Sequence, residues 1–93
     1  MTILAVCGFG IGSSMLLKMS IDKAFRSLGR PDEAKNTDLL MCKSTACDAI
    51  FTSTQMAPDL REEVNVPVYA VKKYMDLEEV KQVLQQCIAD LGK

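Results

Sequence analysis

The chain contains no histidine and no tryptophan, and its 93 residues include no long apolar segment. Without histidine, the chain has no imidazole to serve as a general base, a metal ligand or a phosphoryl carrier. The amino-terminal apolar segment ILAV is too short for the apolar part of a signal peptide. No segment reaches the roughly 20 apolar residues that span a bilayer. We therefore expect a cytoplasmic protein that does not insert directly into a membrane.

The chain also lacks an excess of charge of either sign. Its 11 basic and 12 acidic residues give a net charge of −1 and are spread along the sequence. Because no basic stripe is present, we expect no binding to nucleic acid or to an anionic membrane surface. The composition, 48% hydrophobic and 25% charged, is typical of a soluble globular domain. A chain of this length forms one core, so we predict a single domain over residues 1–93.

The four cysteines do not form a disulfide or metal motif. In a reducing cytoplasm a disulfide framework is not expected. The spacing between Cys42 and Cys47 is not that of a zinc or redox site, and without histidine a metal site would need several thiols to converge. We expect Cys42, Cys47 and Cys87 to pack as small apolar side chains, and we expect no metal and no cofactor.

Short apolar runs alternate along the chain with helical patterns. The pattern predicts two long helices, one from Ser13 to Leu28 and one from Leu77 to Leu91, the second with Asp76 and Glu79 as a capping box. A short helix or a crossover is predicted in LLMCKSTA, and a short helical piece in DLREEV. Strands are predicted at residues 2–6, near residues 33–38, at residues 48–53 and at residues 66–71. This alternation indicates an α/β fold, a parallel sheet with helices on both faces.

The stretch CGFGIGSS, residues 7–14, places a thiol and three glycines between the first strand and the first helix. Glycines let successive backbone N–H groups turn inward together, and the helix start adds unpaired N–H groups and partial positive charge. Such a cradle stabilises a thiolate, so we expect the pKa of Cys7 to be lowered. Cys7 is therefore a candidate nucleophile, the alternative being a small buried residue that packs under a tight turn.

The spacing of Cys7 and Ser13 matches that of a loop in which a cysteine lies at the centre and the backbone wraps a phosphoryl group. In protein tyrosine phosphatases the last position is an arginine, whose guanidinium stabilises the transition state of hydrolysis. Here the nearest downstream cation is Lys18, and the chain has no Asp-Pro dipeptide for an acid loop. These residues favour a loop that holds a phosphoryl group on sulfur and passes it on. A small cysteine-dependent phosphatase and a non-catalytic anion-binding module are the alternatives.

A second loop follows the third predicted strand. In parallel α/β folds the site lies beyond the carboxyl ends of the strands, so this loop is expected at the same edge of the sheet as residues 7–13. Its polar side chains are therefore candidates for a second part of the site, the alternative being that they are ordinary loop residues. They are Thr52, Ser53, Thr54 and Gln55.

The segments ILAVCGFGIGSSMLLKM and DAIFTSTQMA resemble the IIB components of the sugar phosphotransferase system, specifically the ascorbate-type members of the lactose/ascorbate/galactitol-like group. The resemblance implies a phosphotransferase in which Cys7 accepts a phosphoryl group from a phosphohistidine on a IIA protein. Cys7 then donates that group to a sugar, ascorbate or a related one, held by a IIC membrane transporter. Every histidine of the relay would lie on the partner. In agreement with this resemblance, we predict a three-layer sandwich with a four-stranded parallel sheet of order 2-1-3-4.

The resemblance also implies a phosphate-binding loop after the first strand. Its backbone N–H groups, with the Ser13 and Ser14 hydroxyls, would stabilise the equatorial phosphoryl oxygens. The chain departs from the family's pattern at three positions. Family members usually have polar residues where this chain has Phe9 and Ile11, and often a histidine where it has Gln55. The apolar pair is also a candidate for docking contacts. The predicted phosphate-binding residues are Gly8, Phe9, Gly10, Ile11, Gly12, Ser13 and Ser14.

Overall fold

Four strands and four helices alternate along the part of the chain that the structure, a computed structural model, describes. This part comprises residues 1–6, 11–37, 39–42, 44, 46–73 and 76–92, with the backbone alone for residues 11–14, 39 and 40. The elements are β1 (Thr2–Val6), α1 (Ile11–Ser27), β2 (Glu33–Thr37), α2 (Leu39–Cys42), β3 (Ala49–Ser53), α3 (Ala57–Glu63), β4 (Val68–Val71) and α4 (Leu77–Leu91).

The strands form one parallel sheet of order β2-β1-β3-β4, which confirms the predicted fold class and strand order. In its register Val6 lies opposite Thr37, and Ser53 lies opposite Val71. Since all strands run the same way, their carboxyl ends meet along one edge of the sheet. We call this edge, marked by Val6, Thr37, Ser53 and Val71, the carboxyl edge, and the opposite one the amino edge.

Helices cover both faces of the sheet, as predicted. Alternate residues of β1 and β3 point to opposite faces, and those of β1 from Ile3 to Val6 are fully buried. Helices α1 and α4 pack on the face that carries Ile3, Ala5, Phe51 and Val71. Helices α2 and α3 contribute to the core on the other face, which carries Leu4, Val6, Ile50 and Val68.

The first helix begins earlier than its sequence pattern indicates. The apolar spacing starts at Leu17 and predicts a start near Ser13, whereas α1 begins at Ile11. The first turn of a helix needs no apolar periodicity, because its N–H groups make no bond to a preceding turn. At the other end, α1 ends at Ser27, one residue before the predicted end at Leu28, and Gly29 follows in the left-handed conformation, with φ 74°.

Two further boundaries differ because of proline. Helix α3 begins at Ala57, before the predicted DLREEV segment. Pro58 is tolerated in its first turn because the N–H that proline lacks would have no partner within the helix. Strand β4 begins at Val68, after the predicted start at residue 66. The carbonyl of Pro67 still accepts the N–H of Ile50 at 2.9 Å, so the proline joins the sheet through its oxygen.

The capping box predicted at the start of α4 is only half formed. The Asp76 side chain accepts hydrogen bonds from the N–H groups of Glu78 and Glu79, at 3.1 and 3.3 Å. The Glu79 carboxylate does not return to Asp76 but accepts the N–H of Lys72, after β4. The N–H of Asp76 instead donates to the carbonyl of Lys73. The glutamate therefore ties the end of β4 to the helix.

Candidate functional site

The carboxyl edge is where β1 ends and α1 begins. Strand β1 ends at Val6 and α1 begins at Ile11, so residues 7–10 connect two elements that meet at this edge. The predicted nucleophile Cys7 and the predicted phosphate-binding residues Gly8, Phe9 and Gly10 lie outside the described residues. The remaining predicted phosphate-binding residues, Ile11, Gly12, Ser13 and Ser14, belong to the first turn of α1.

The start of α1 gives the carboxyl edge a partial positive charge. The first four N–H groups of an α-helix have no partner within the helix, and the helix dipole places its positive end there. The first turn of α1 contains no acidic residue that would offset this charge. The helix is 17 residues long, so the dipole of several turns contributes. This turn can therefore contribute N–H groups to an anion that binds at the carboxyl edge.

The structure brings part of the second predicted loop to the same edge. Strands β1 and β3 are neighbours in the sheet, and Thr52 and Ser53 are the last two residues of β3. Both are buried, whereas Thr54 and Gln55 are exposed in the turn that leads to α3. The Ser53 hydroxyl accepts the N–H of Met56 at 3.3 Å and so shapes this turn. Of the four predicted residues, two belong to the strand end and two to the adjacent surface.

Thr52 differs from Ser53 in what its hydroxyl contacts. Its side chain is completely buried, and its Oγ1 atom has no hydrogen-bond partner among the residues that the structure describes. A buried hydroxyl without a partner is uncommon, because the hydroxyl loses its bonds to water and gains nothing in return. From the sequence, Thr52 is only one of four candidate loop residues, since burial without a partner depends on how the neighbouring elements pack.

The three arginines of the chain, all of them described, lie away from the carboxyl edge. Arg26 is in the last turn of α1, which returns the chain to the amino edge. There Arg30 pairs with Asp32, with Nε and Oδ2 2.8 Å apart. The Arg61 guanidinium donates to the carbonyl of Val68, the first residue of β4, at 3.1 and 3.3 Å. No arginine in the described part of the chain therefore stabilises charge at the carboxyl edge.

The described lysines do not replace this missing arginine close to the first turn of α1. Lys18, the nearest downstream cation in the sequence, forms an ion pair with Asp22 one turn further along, with Nζ and Oδ2 2.6 Å apart. Lys72 and Lys73 follow β4 at the carboxyl edge and are exposed. An anion at the end of β1 would therefore depend mainly on backbone N–H groups and hydroxyls.

The three cysteines that the structure describes lie in packed positions. Cys42 and Cys87 are buried, and Cys47 is half-buried against the α2 and α3 side of the core. Burial raises the pKa of Cys87 to about 11 and also raises the pKa of Cys47. Such thiols are poor nucleophiles near neutral pH. Among the described residues, no group of His, Cys, Asp and Glu side chains could hold a metal ion.

Comparisons with known proteins agree on one kind of protein. A model of the family described as "PTS system, Lactose/Cellobiose specific IIB subunit" matches residues 2–86. The chain is 27% identical over 88 residues to the "Ascorbate-specific PTS system EIIB component" of Mycoplasma pneumoniae, covering 92% of this chain and 93% of that protein. It also shares its fold with the lactose-specific IIB component domain from Streptococcus pneumoniae. That match has a TM-score of 0.70 at 16% identity and covers 96% of this chain and 95% of the other.

Proposed function

The chain belongs to the family of lactose/cellobiose-specific IIB subunits of the sugar phosphotransferase system, and on this basis we propose that Cys7 is its phosphoryl carrier. Proteins of this family are phosphotransferases that act in sugar uptake. In our proposal, Cys7 accepts the phosphoryl group from a phosphohistidine on a IIA protein. It then passes the group to a sugar held by a IIC membrane transporter.

The observation that carries this proposal is the place of Cys7 in the chain. It directly follows Val6, the last residue of β1, and three residues separate it from Ile11, the first residue of α1. The unpaired N–H groups of that turn favour an anion at this edge, and a thiolate and a phosphoryl group are both anions. The other three cysteines lie in packed positions with two of them buried, so none of them competes for the role.

Two in-line displacements make up the proposed reaction. The Cys7 thiolate attacks the phosphorus of the phosphohistidine, so that an S–P bond forms, the P–N bond breaks and the protonated imidazole leaves as neutral histidine. Backbone N–H groups from Gly8 to Ser14, with the Ser13 and Ser14 hydroxyls, stabilise the charge on the phosphoryl oxygens. A sugar hydroxyl then attacks the phosphorus, so that an O–P bond forms and the S–P bond breaks. The hydroxyl proton passes to solvent water, and Cys7 leaves again as a thiolate.

The arrangement of cations favours a carrier over a phosphatase. Hydrolysis by a cysteine-dependent phosphatase relies on a guanidinium at the phosphoryl group. The described arginines lie elsewhere, and Lys18 is paired with Asp22. Water attack on a phosphocysteine would therefore lack this stabilisation. Steady hydrolysis of an aryl phosphate, abolished in C7A, would instead support the phosphatase.

We also propose the partners and the location of the chain. The 27% identity to an ascorbate-specific component over nearly the whole chain supports ascorbate, or a related sugar, as the substrate. Phe9 and Ile11 are proposed as docking contacts for the IIA protein or the transporter. The carrier needs a reduced thiol, which supports a cytoplasmic location. In the described part of the chain, no helix is long and apolar enough to cross a membrane.

The proposal is tested by intact-mass analysis after incubation with a phosphorylated ascorbate-type IIA protein from the same genome. Wild-type protein should gain the mass of one phosphoryl group, and C7S should gain none, because serine lacks a thiolate. C47S removes a half-buried thiol outside the site and serves as the matched control, which should be phosphorylated like the wild type. Phosphorylation that persists in C7S, or a wild type that gains no mass from its cognate donor, contradicts the proposal.

A further inference from the structure

Thr52 is the feature of the carboxyl edge that the fold alone does not explain. Its hydroxyl is completely buried and has no hydrogen-bond partner among the described residues. Valine has nearly the same shape as threonine and a stronger preference for a buried strand. A threonine here therefore places a polar atom in the core at a cost to stability, with no compensating bond in the described part of the structure.

The residues around Thr52 explain why its hydroxyl has no hydrogen-bond partner among the described residues. Thr52 lies opposite Ala70 of β4, whose side chain has no polar atom. On β3 it shares a face with Ile50, which packs in the apolar core beneath α2 and α3. The neighbouring Ser53 hydroxyl, by contrast, is bonded within the turn. Of these two adjacent buried residues, Thr52 is the one whose hydroxyl has no partner among the described residues.

Thr52 also lies beside the end of the strand that leads to Cys7. Ala5 of β1 pairs with Phe51 of β3, so the next residues along these two parallel strands are Val6 and Thr52. Cys7 is bonded directly to Val6. A side chain at Thr52 is therefore one residue away, across the strand pair, from the residue that carries the proposed chemistry.

We propose that the Thr52 hydroxyl is a hydrogen-bond donor for the sulfur of Cys7, reserved for the state in which that sulfur is negatively charged. This inference rests on the proposed function of Cys7 and adds a residue from a second strand to it. A hydrogen bond to a charged sulfur is stronger than one to a neutral thiol. The donor stabilises the thiolate before phosphoryl transfer and again when the thiolate leaves.

The test compares T52V with wild-type protein. We measure the rate of Cys7 alkylation by iodoacetamide between pH 5 and pH 10, followed on the Cys7 peptide by mass spectrometry, and the rate of phosphorylation by the IIA donor. Loss of one hydrogen bond to a charged group should raise the pKa of Cys7 by about one unit. Alkylation at a pH below both pKa values should then be about tenfold slower, and T52S, which keeps the hydroxyl, should restore it.

Two controls separate this effect from a change in folding. T2V makes the same substitution at the amino end of β1, which lies at the amino edge of the sheet. It should leave the pH profile of Cys7 alkylation unchanged. The free energy of unfolding of T52V should equal or exceed that of the wild type, because the variant loses a buried hydroxyl without a described partner. Slower alkylation in a protein of undiminished stability therefore reports on the hydroxyl.

A pH profile of T52V that matches those of the wild type and T2V overturns the role of Thr52, as does a T52S profile no better than that of T52V. This result is distinct from failure of the proposed function. If the wild-type protein takes no phosphoryl group while T52V alters the pH profile of Cys7, the carrier function fails and the Thr52–Cys7 contact stands.

Discussion

Individual thiols of this chain differ in reactivity because their surroundings differ. Cys87 lies on α4, completely buried, and near Tyr69 and Asp90. Burial is the main cause that raises its pKa to about 11, and the Asp90 carboxylate adds to it. The Tyr69 hydroxyl donates to Asp90 at 2.7 Å, so the carboxylate is held close by. At neutral pH this thiol is almost entirely protonated and out of contact with solvent.

We predict that Cys42 and Cys87 remain unlabelled when folded protein is exposed to a thiol reagent at pH 8. Cys42 is only 2% exposed, and the pKa of Cys87 lies far above the pH of the experiment. Labelling is located by peptide mass spectrometry, and the same reaction in guanidinium chloride should label all the cysteines. The half-buried Cys47 serves as the internal control and should react at an intermediate rate. Equal rates for Cys87 in folded and unfolded protein contradict the prediction.

At the scale of the elements, burial decides which strands can be predicted. Strands β1 and β3 are covered on both faces, so their sequences are continuous apolar runs that the pattern identifies. The edge strand β2 has the sequence EAKNT and buries little more than Ala34. The Asp22 carboxylate on α1 accepts the N–H of Ala34 at 2.7 Å, a contact between distant residues that no local pattern contains.

The candidate site likewise combines a motif that is contiguous in the sequence with contacts between residues that are distant in the sequence. The motif of Cys7 and the following glycines is contiguous in the sequence, so its chemistry can be argued from the order of the residues alone. The state of the Thr52 hydroxyl depends on Ala70, Ile50 and the end of β1, which belong to separate segments. The sequence can therefore indicate the second loop as a candidate but cannot select the residue within it.

Helix α4 offers a prediction about capping. Asp76 is the N-cap of α4 and accepts two N–H groups of its first turn. D76A should lower the free energy of unfolding by about 1 kcal/mol, the usual effect of losing such a cap. D76N is the matched control, because asparagine keeps the acceptor oxygen and caps about as well. Chemical denaturation measures both, and equal stability of the two variants would show that the cap bonds contribute little.

In the whole molecule, the two edges of the sheet have different roles. The amino edge is held by charged groups: the amino-terminal NH₃⁺ group lies 3.0 Å from Asp32, and Arg30 contacts the same carboxylate. The Asp48 carboxylate accepts the N–H of Thr2 at 2.6 Å. These contacts fix the starts of β1 and β3 and the approach to β2. The carboxyl edge, where we propose phosphoryl transfer, is thus built on strands that are secured at their far ends.

This arrangement predicts how stability depends on pH. The hydrogen bond from the amino-terminal NH₃⁺ group, with that from Arg30, lowers the pKa of Asp32. A carboxyl group with a lowered pKa stabilises the fold above its unfolded pKa, about 3.9, and this contribution disappears as the pH falls through the folded value. D32N should therefore lower the free energy of unfolding at pH 7, by up to about 1 kcal/mol, and should lower it by less near pH 2. Urea denaturation across this range measures the difference, with D59N, at an exposed position of α3, as control. A D32N deficit that is equal at both pH values would rule out the ion pair as its cause.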